Sequence, residues 1–183
     1  MTSTCRTAAA VLLALASGGA LADSLELNLH DEALRATFAH VARPGMEWDV
    51  GHYYNEDDVT VTHLGLHVSG ENWSKAGTFD VGLGGRLLLV RSDEEDASAL
   101  ALGARVRFSP VHRVGIGGEL YFAPDITTFD EATRYTEATV RADYQLLPQA
   151  LLYVGYRVIE MDFDDVDDVE IDDSFQVGMK LLW

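Results

Sequence analysis

The stretch Phe79-Asp80-Val81-Gly82-Leu83-Gly84-Gly85-Arg86-Leu87-Leu88-Leu89 decides the fold, because large apolar residues occupy nearly every second position in it. An extended strand points successive side chains to opposite faces, so a period of two predicts a strand with one apolar and one polar face. The same alternation recurs in segments 98–108, 114–122 and 136–146. Each segment has about the 9–11 residues with which a tilted strand crosses a membrane.

Turn residues divide the chain into about ten predicted strands. Because the first of them is short and could belong to a longer opening strand, eight strands are an alternative. An even number places both chain ends on the same side, as is usual in bacterial barrels. The predicted strands are 24–29, 33–41, 46–54, 59–68, 79–91, 97–108, 113–123, 133–147, 150–163 and 174–183.

The first 22 residues have the three parts of a secretory signal peptide. A polar start with Arg6 leads into the apolar run Ala8–Ala16, and small residues stand at Ala20 and Ala22, where a signal peptidase cuts. The apolar run is shorter than the about 20 residues that a membrane-spanning helix needs. We therefore predict a cleaved signal peptide over 1–22 and a single mature domain over 23–183.

Composition excludes several classes of protein. The 183 residues include 13 Lys and Arg against 30 Asp and Glu, a net charge of −17. Nucleic acid is excluded as a partner because phosphates need clustered cations, and a hydrophobic content of 48% excludes disorder. The only cysteine, Cys5, leaves with the predicted signal peptide, so the mature domain has neither a disulfide nor a lipid-bearing cysteine.

Acidic residues are concentrated in alternate connections between the predicted strands. Five connections hold twenty of the thirty acidic residues, whereas the four connections between them hold only Glu71. In an antiparallel meander alternate connections lie at opposite ends, so the acid gathers at one end. A soluble β-sandwich, the competing fold, does not account for this sorting, whereas a membrane barrel has two chemically different ends. The acidic connections are 30–32, 55–58, 92–96, 124–132 and 162–173.

The last predicted strand places a row of apolar residues on one face and ends in an aromatic residue. This pattern resembles the signal by which the barrel assembly machinery recognises outer-membrane barrels. The row is Phe175, Val177, Met179, Leu181 and Trp183. With the signal peptide and the sorted connections, it predicts an all-β protein, a transmembrane antiparallel up-and-down β-barrel, in the outer membrane among lipid and lipopolysaccharide.

The polar face of the predicted strands points into the lumen and carries balanced charge. In a barrel of eight to ten strands the side chains nearly fill the interior, where an unpaired charge is costly. We therefore predict a network of ion pairs that fills the lumen, since a selective pore favours an excess of one sign. Its members are the anions Glu26, Glu47, Asp49, Asp80, Glu119, Glu137 and Asp143, and the cations Arg35, Arg86, Arg105, Arg107, Arg141, Arg157 and Lys180.

Two further site chemistries have weak support. The candidates for a cation site, and hence for divalent cations as partners, are Asp164, Asp165, Asp167 and Asp168, which lack the spacing and central Gly of a calcium loop. An outer-membrane hydrolase would need His paired with a nucleophile. His63 and His67 share an inward face, and His52 lies on a neighbouring strand, but no nucleophile motif accompanies them. We therefore predict no catalytic residue, no enzyme activity and no cofactor.

The mature chain resembles the YfaZ family of proteobacterial outer-membrane proteins. The resemblance implies a small outer-membrane barrel, described as porin-like, and implies no substrate or catalytic residue. It lies in Asp23–Leu29, Tyr54–Asp57, His63–Val68, Ala99–Gly103, Val154–Arg157 and, most specifically, Gly117–Asp125. The function that we predict is a largely closed barrel with a structural or surface-interaction role through acidic extracellular loops. The alternative is a narrow porin-like channel for small solutes or cations.

Overall fold

The computed structural model describes most of the predicted mature domain. The predicted signal peptide, and part of each acidic connection, lie outside the described residues. Within the described part of the chain, no helix is long and apolar enough to cross a membrane. The described residues are 23–30, 33–56, 59–91, 96–130, 132–163 and 169–183.

Ten long strands and one three-residue strand form a single antiparallel sheet. The strands are β1 (Asp23–His30), β2 (Ala33–Arg43), β3 (Met46–Asn55), β4 (Thr60–Ser74), β5 (Gly77–Arg91), β6 (Asp96–Val111), β7 (Val114–Ala123), β8 (Thr128–Asp130), β9 (Ala132–Leu147), β10 (Ala150–Phe163) and β11 (Val169–Leu182). The short β8 follows a 3-10 turn after β7 and pairs with the start of β6. The predicted ten-stranded fold is confirmed, and the eight-stranded alternative is wrong.

The sheet closes on itself where the first strand meets the last. β1 pairs with β11 from Ser24 opposite Leu182 to Leu29 opposite Val177. At the end of this seam the Asp23 amide donates to the Trp183 carbonyl at 2.9 Å, and the Trp183 amide donates to the Asp23 carbonyl at 3.0 Å. Closure removes the open sheet edge that a lipid environment does not tolerate.

The outer surface of the barrel is apolar along the middle of the strands. Outward side chains there are half or more exposed although they are large and hydrophobic, which suits contact with lipid rather than water. Members of this band are Leu64, Leu83, Leu102, Val140, Val154 and Val177. The barrel therefore spans the membrane and belongs to the outer-membrane type, with lipid and lipopolysaccharide as its surroundings.

The outward face also carries aromatic residues near the seam. The Phe38 ring lies 5.7 Å from the Trp48 ring and 6.4 Å from the Trp183 ring, measured between centroids. The predicted assembly row is on this outer face, where Phe175, Val177 and Trp183 are exposed.

Two connections are shorter than predicted. Residues 69–78 were expected to form a turn, but β4 reaches Ser74 and pairs with β5 down to Gly77, leaving only two residues between the strands. Gly77 has φ +139°, and a Cβ there would collide with the Ser109 carbonyl, so the tight turn requires glycine. The acidic connection 162–173 is also shorter, because β10 and β11 extend into it.

The lengths of the connections orient the barrel. At one end, four hairpins turn through two residues each: 44–45, 75–76, 112–113 and 148–149. Outer-membrane barrels have short periplasmic turns and longer extracellular loops. We therefore expect the short-turn end, which holds the start of β1 and the end of β11, to face the periplasm and the acidic connections to face outward.

A cysteine-labelling experiment checks this orientation. Ile126 is 86% exposed at the acidic end, and Ala76 is exposed in the β4–β5 turn. We expect a membrane-impermeant maleimide to label Ile126→Cys on intact cells and to label Ala76→Cys only after the outer membrane is permeabilised. The parent protein is the control, because its only cysteine is Cys5. Labelling of Ala76→Cys on intact cells would contradict the orientation.

Candidate functional site

The middle of the lumen is a layer of buried ion pairs centred on Glu137. Arg35 Nη1 donates to Glu137 Oε1 at 2.7 Å, and Arg86 Nη1 donates to Oε2 at 3.2 Å. The Tyr135 hydroxyl also donates to Oε2 at 3.0 Å. Two guanidinium groups and a phenol thus satisfy one buried carboxylate, as a charge in a low-dielectric interior requires.

Arg86 connects this carboxylate to the opposite wall. Its Nη2 donates to Glu119 Oε2 at 3.3 Å, and its guanidinium carbon lies 3.8 Å from the centroid of the Tyr121 ring. Its Nε is 4.0 Å from Asp49 Oδ1 and, within the described part of the chain, has no hydrogen-bond partner. Because strands β5, β7 and β9 all contribute to this arrangement, Arg86 ties distant parts of the barrel together.

Asp49 holds two histidines on the neighbouring strand β4. Asp49 Oδ1 lies 2.8 Å from His63 Nε2, and Asp49 Oδ2 lies 2.8 Å from His67 Nδ1. The Tyr121 hydroxyl lies 2.8 Å from His67 Nε2, on the other side of the imidazole. All four side chains are deeply buried. His63 and His67 therefore share the inward face, as predicted, and lie on either side of the Asp49 carboxylate.

On the side of this layer that faces the two-residue turns, the lumen opens into a vestibule. Two cavities of about 250 Å³ and about 200 Å³ share Arg107, Arg141 and Lys180 as lining residues. The first also borders Asp80, and the second borders Leu182 near the end of the chain. The vestibule is large enough for several water molecules or a small solute.

Ion pairs line the wall of the vestibule. Arg105 Nη1 donates to Glu47 Oε1 at 2.7 Å, and Arg141 Nη1 donates to Glu26 Oε1 at 3.2 Å. Arg107 holds both carboxylate oxygens of Asp143, at 2.9 and 2.5 Å. Asp80 and Lys180 also border the larger cavity. Neither forms an ion pair with any residue that the structure describes.

Toward the acidic connections the lumen is filled by an apolar plug. Leu88 is 1% exposed, and Tyr135 and Met161 are 0% exposed, although all three lie on the inward face. The cavity between the plug and the charged layer has a volume of about 10 Å³, which barely admits one water molecule. The plug consists of Ala33, Tyr53, Val61, Leu88, Val90, Ala97, Ala99, Ala101, Tyr121, Ala123, Ala132, Tyr135, Ile159, Met161 and Ile171.

The period of two predicts a polar inward face along each strand and does not reveal this plug. Near the acidic connections, however, the alternation disappears, because Leu87 to Val90 and Val158 to Ile159 are apolar on both faces. A strand that is apolar on both faces has apolar neighbours on both sides. Loss of alternation at one end of several strands is the signal that identifies such a plug.

Above the charged layer, Arg157 takes part in a Ser-His-Asp grouping that the sequence analysis also missed. Arg157 Nε donates to Asp172 Oδ2 at 2.7 Å, and the Ser174 hydroxyl donates to Asp172 Oδ1 at 2.6 Å. His30 Nδ1 lies 3.0 Å from the Ser174 oxygen, and His30 Nε2 lies 3.3 Å from Arg157 Nη2.

This grouping does not have the proton arrangement of a catalytic triad. Arg157 has only donors, so His30 Nε2 accepts from it and the proton of the neutral imidazole sits on Nδ1. His30 then donates to Ser174 instead of accepting its proton, and the serine proton goes to Asp172. A general base must accept from the nucleophile, so the cluster is a buried hydrogen-bond network.

The remaining sequence candidates are not brought into one site. His52 is exposed on the outer face, where its Nδ1 lies 3.0 Å from the Thr62 hydroxyl, away from His63 and His67. The cation candidates lie outside the described residues: Asp164, Asp165, Asp167 and Asp168.

Solved structures with a similar arrangement of strands include outer-membrane porins. A structure titled "KdgM porin" is 10% identical, with 88% of this chain and 98% of that chain covered and a TM-score of 0.46. A structure of the NanC porin is 10% identical, with 88% and 99% covered and a TM-score of 0.49. OmpT of Vibrio cholerae, an outer membrane protein, is 10% identical, with 87% and 64% covered and a TM-score of 0.34.

Sequence comparison identifies the family directly. No curated protein matches the chain. The family described as "YfaZ precursor" matches residues 2–183, which is nearly the whole chain. The match extends through the ten-stranded barrel and all the lumen residues described above. The chain belongs to the YfaZ family.

Proposed function

We propose that this protein is a largely closed outer-membrane barrel with a structural or surface-interaction role through its acidic extracellular loops. The observation that carries the proposal is the apolar plug, which fills the lumen beside those loops. Beneath it, Arg35, Arg86 and Glu137 form a second barrier of buried, paired charge. An ion that crossed the lumen would have to displace both layers, at the cost of desolvation and of broken ion pairs.

We also propose how the chain is processed and assembled into the membrane. The segment 1–22 is removed on export, and the outward row that ends in Trp183 is recognised by the barrel assembly machinery. The seam supports the second part, since the last residue is hydrogen-bonded to the first residue of the barrel. The barrel carries no enzyme activity in this proposal, since His30 is a donor to Ser174 rather than its base.

A narrow channel is the second candidate function. It is favoured by the vestibule, whose cavities of about 250 and 200 Å³ are lined by charged side chains. A channel for small solutes or cations would need the plug and the charged layer to rearrange, and its conductance would distinguish it from a closed barrel.

Planar-bilayer recording of the refolded protein tests the closed lumen. We expect no steady single-channel steps from the parent protein, because the plug leaves no continuous water path. The double variant Leu88→Ala/Tyr135→Ala removes two large side chains from the plug and is expected to produce steps. Steady steps from the parent protein would establish the channel instead.

A matched variant separates the lumen from the barrel wall. Leu87→Ala/Val140→Ala also truncates two large apolar residues, but Leu87 and Val140 face the lipid. This control is expected to stay silent in the same recording. If it conducts as the plug variant does, the steps report a loosened barrel rather than an opened lumen.

The charged layer is expected to contribute strongly to stability. Arg86→Ala removes one of the two arginines at Glu137 and the hydrogen-bonded arginine at Glu119, so the buried layer keeps an excess of carboxylate charge. Removing one partner of a buried pair costs about 3–5 kcal/mol. We expect a corresponding loss in the free energy of unfolding, measured with urea in detergent micelles. Arg43→Ala, at an exposed arginine beside a periplasmic turn, is the control and is expected to leave the unfolding midpoint unchanged. Equal midpoints for the two variants would contradict the role of Arg86.

The surface role is tested on whole cells. Replacing Asp164, Asp165, Asp167 and Asp168 with Asn removes four negative charges from one extracellular loop. We expect cells that display this variant to retain less fluorescent polylysine than cells with the parent protein, because charge attraction is reduced. Glu71→Gln, at the periplasmic end, is the control. Equal retention by loop variant and parent would remove the loop from the proposal.

A further inference from the structure

Three side chains at the upper wall of the vestibule point metal-ligating atoms at one another. Glu47 and Asp49 are two residues apart on β3 and therefore share a face, and His67 is directly opposite Glu47 on β4. One ligand atom from each residue lies within 4.8 Å of the other two. A single ion can reach all three with small side-chain rotations, since divalent first-row metals bond nitrogen and oxygen at about 2.0–2.2 Å.

Among the residues that the structure describes, His67 Nδ1 has no hydrogen-bond partner. The side chain is 1% exposed, and its Nδ1 lies 2.8 Å from Asp49 Oδ2 without the direction that a hydrogen bond requires. When the Nε2 hydrogen points to the Tyr121 oxygen, Nδ1 carries a lone pair that faces a carboxylate. In this tautomer, a cation bound by both Nδ1 and Asp49 Oδ2 removes the repulsion between them. In the other tautomer, Nδ1–H faces the carboxylate and the Tyr121 hydroxyl donates to Nε2.

Each of the three candidate ligands also has a hydrogen-bond partner that fixes its orientation. Tyr121 holds His67 through Nε2 at 2.8 Å, and His63 holds Asp49 through Oδ1 at 2.8 Å. Arg105 occupies Oε1 of Glu47 and leaves the second oxygen available. Partners of this kind fix the orientation of metal ligands and raise affinity.

The space around the cluster depends on glycine. A Cβ at Gly65, opposite Asp49, would collide with Asp49 Oδ2 and His67, and a Cβ at Gly84 would collide with the His67 ring. Any other residue at these two positions would displace the ligands. The vestibule provides access, because Glu47 borders its larger cavity.

We propose that Glu47, Asp49 and His67 form a binding site for a first-row divalent metal ion, loaded from the periplasmic side. Two carboxylate oxygens and one imidazole nitrogen suit Zn²⁺ and its neighbours better than Ca²⁺ or Mg²⁺, which prefer oxygen alone. Solvent in the vestibule completes the coordination. Arg86 Nε lies 4.0 Å from Asp49 Oδ1, whereas the oxygen that faces His67 is Oδ2. The site does not depend on whether the barrel conducts.

Zinc titration by calorimetry tests the site in the refolded, EDTA-stripped protein. We expect one Zn²⁺ to bind per chain before the weaker binding by surface carboxylates. His67→Gln keeps a group that can bond Tyr121 but removes the imidazole, and Glu47→Gln removes one carboxylate. Each is expected to weaken binding by at least about tenfold, the lower bound seen for changes around metal ligands.

Two matched variants and a spectroscopic readout complete the design. His52→Gln removes an imidazole from the outer face, Glu71→Gln removes a carboxylate outside the site, and both are expected to bind Zn²⁺ like the parent. With Cu²⁺ as the probe, electron paramagnetic resonance should show coupling to one imidazole nitrogen that is absent in His67→Gln. Heat-dependent migration on a gel confirms that each variant is folded. Unchanged Zn²⁺ affinity in folded His67→Gln, or no stoichiometric ion in the parent, overturns the proposal.

Discussion

The structure depends on the closure of its hydrogen-bonded sheet. Hydrocarbon offers no partner to a peptide group, so each strand must be paired on both sides where it crosses the membrane. The pairing of β1 with β11, ended by the mutual hydrogen bonds of Asp23 and Trp183, meets this requirement. Once the sheet is closed, every second side chain points into a narrow lumen. The packing of these inward side chains determines the other features of the interior.

The lumen is packed in two different ways, by apolar side chains in one region and by ion pairs in the other. Toward the acidic loops it is filled by apolar side chains such as Leu88 and Met161, which need no partners. Deeper in, guanidinium groups meet carboxylates donated by strands far away in the chain, as when Arg35 reaches Glu137. Tyr121 and Tyr135 connect the two regions, since each ring packs in the plug while its hydroxyl bonds a side chain of the polar region. Tyrosine suits such a boundary because it combines an apolar ring with a polar tip.

The strand pattern was predictable because the period of two is local and continuous, as in Phe79 to Leu89. The pairing of charges was not, because the partner of Arg86 depends on the barrel's width and stagger, which bring residues 51 positions apart into contact. Glycines, Ser69 and Asn72 made the base of the β4–β5 hairpin resemble a turn, although pairing with β5 keeps it extended. The cluster of Asp49, His63 and His67 was predictable only in part. The spacing of the histidines indicates that they share a face, but their contact with Asp49 depends on the register between β3 and β4.

The vestibule can exchange solute with only one side of the membrane if the lumen is closed. In the closed barrel that we propose, the plug fills the far end of the lumen, and the cavity beside Arg107, Arg141 and Lys180 communicates with a single compartment. A solute that enters must leave by the same mouth, so no gradient across the membrane can drive its movement. The fraction of time that such a one-ended cavity is occupied then follows the concentration of the solute on its open side.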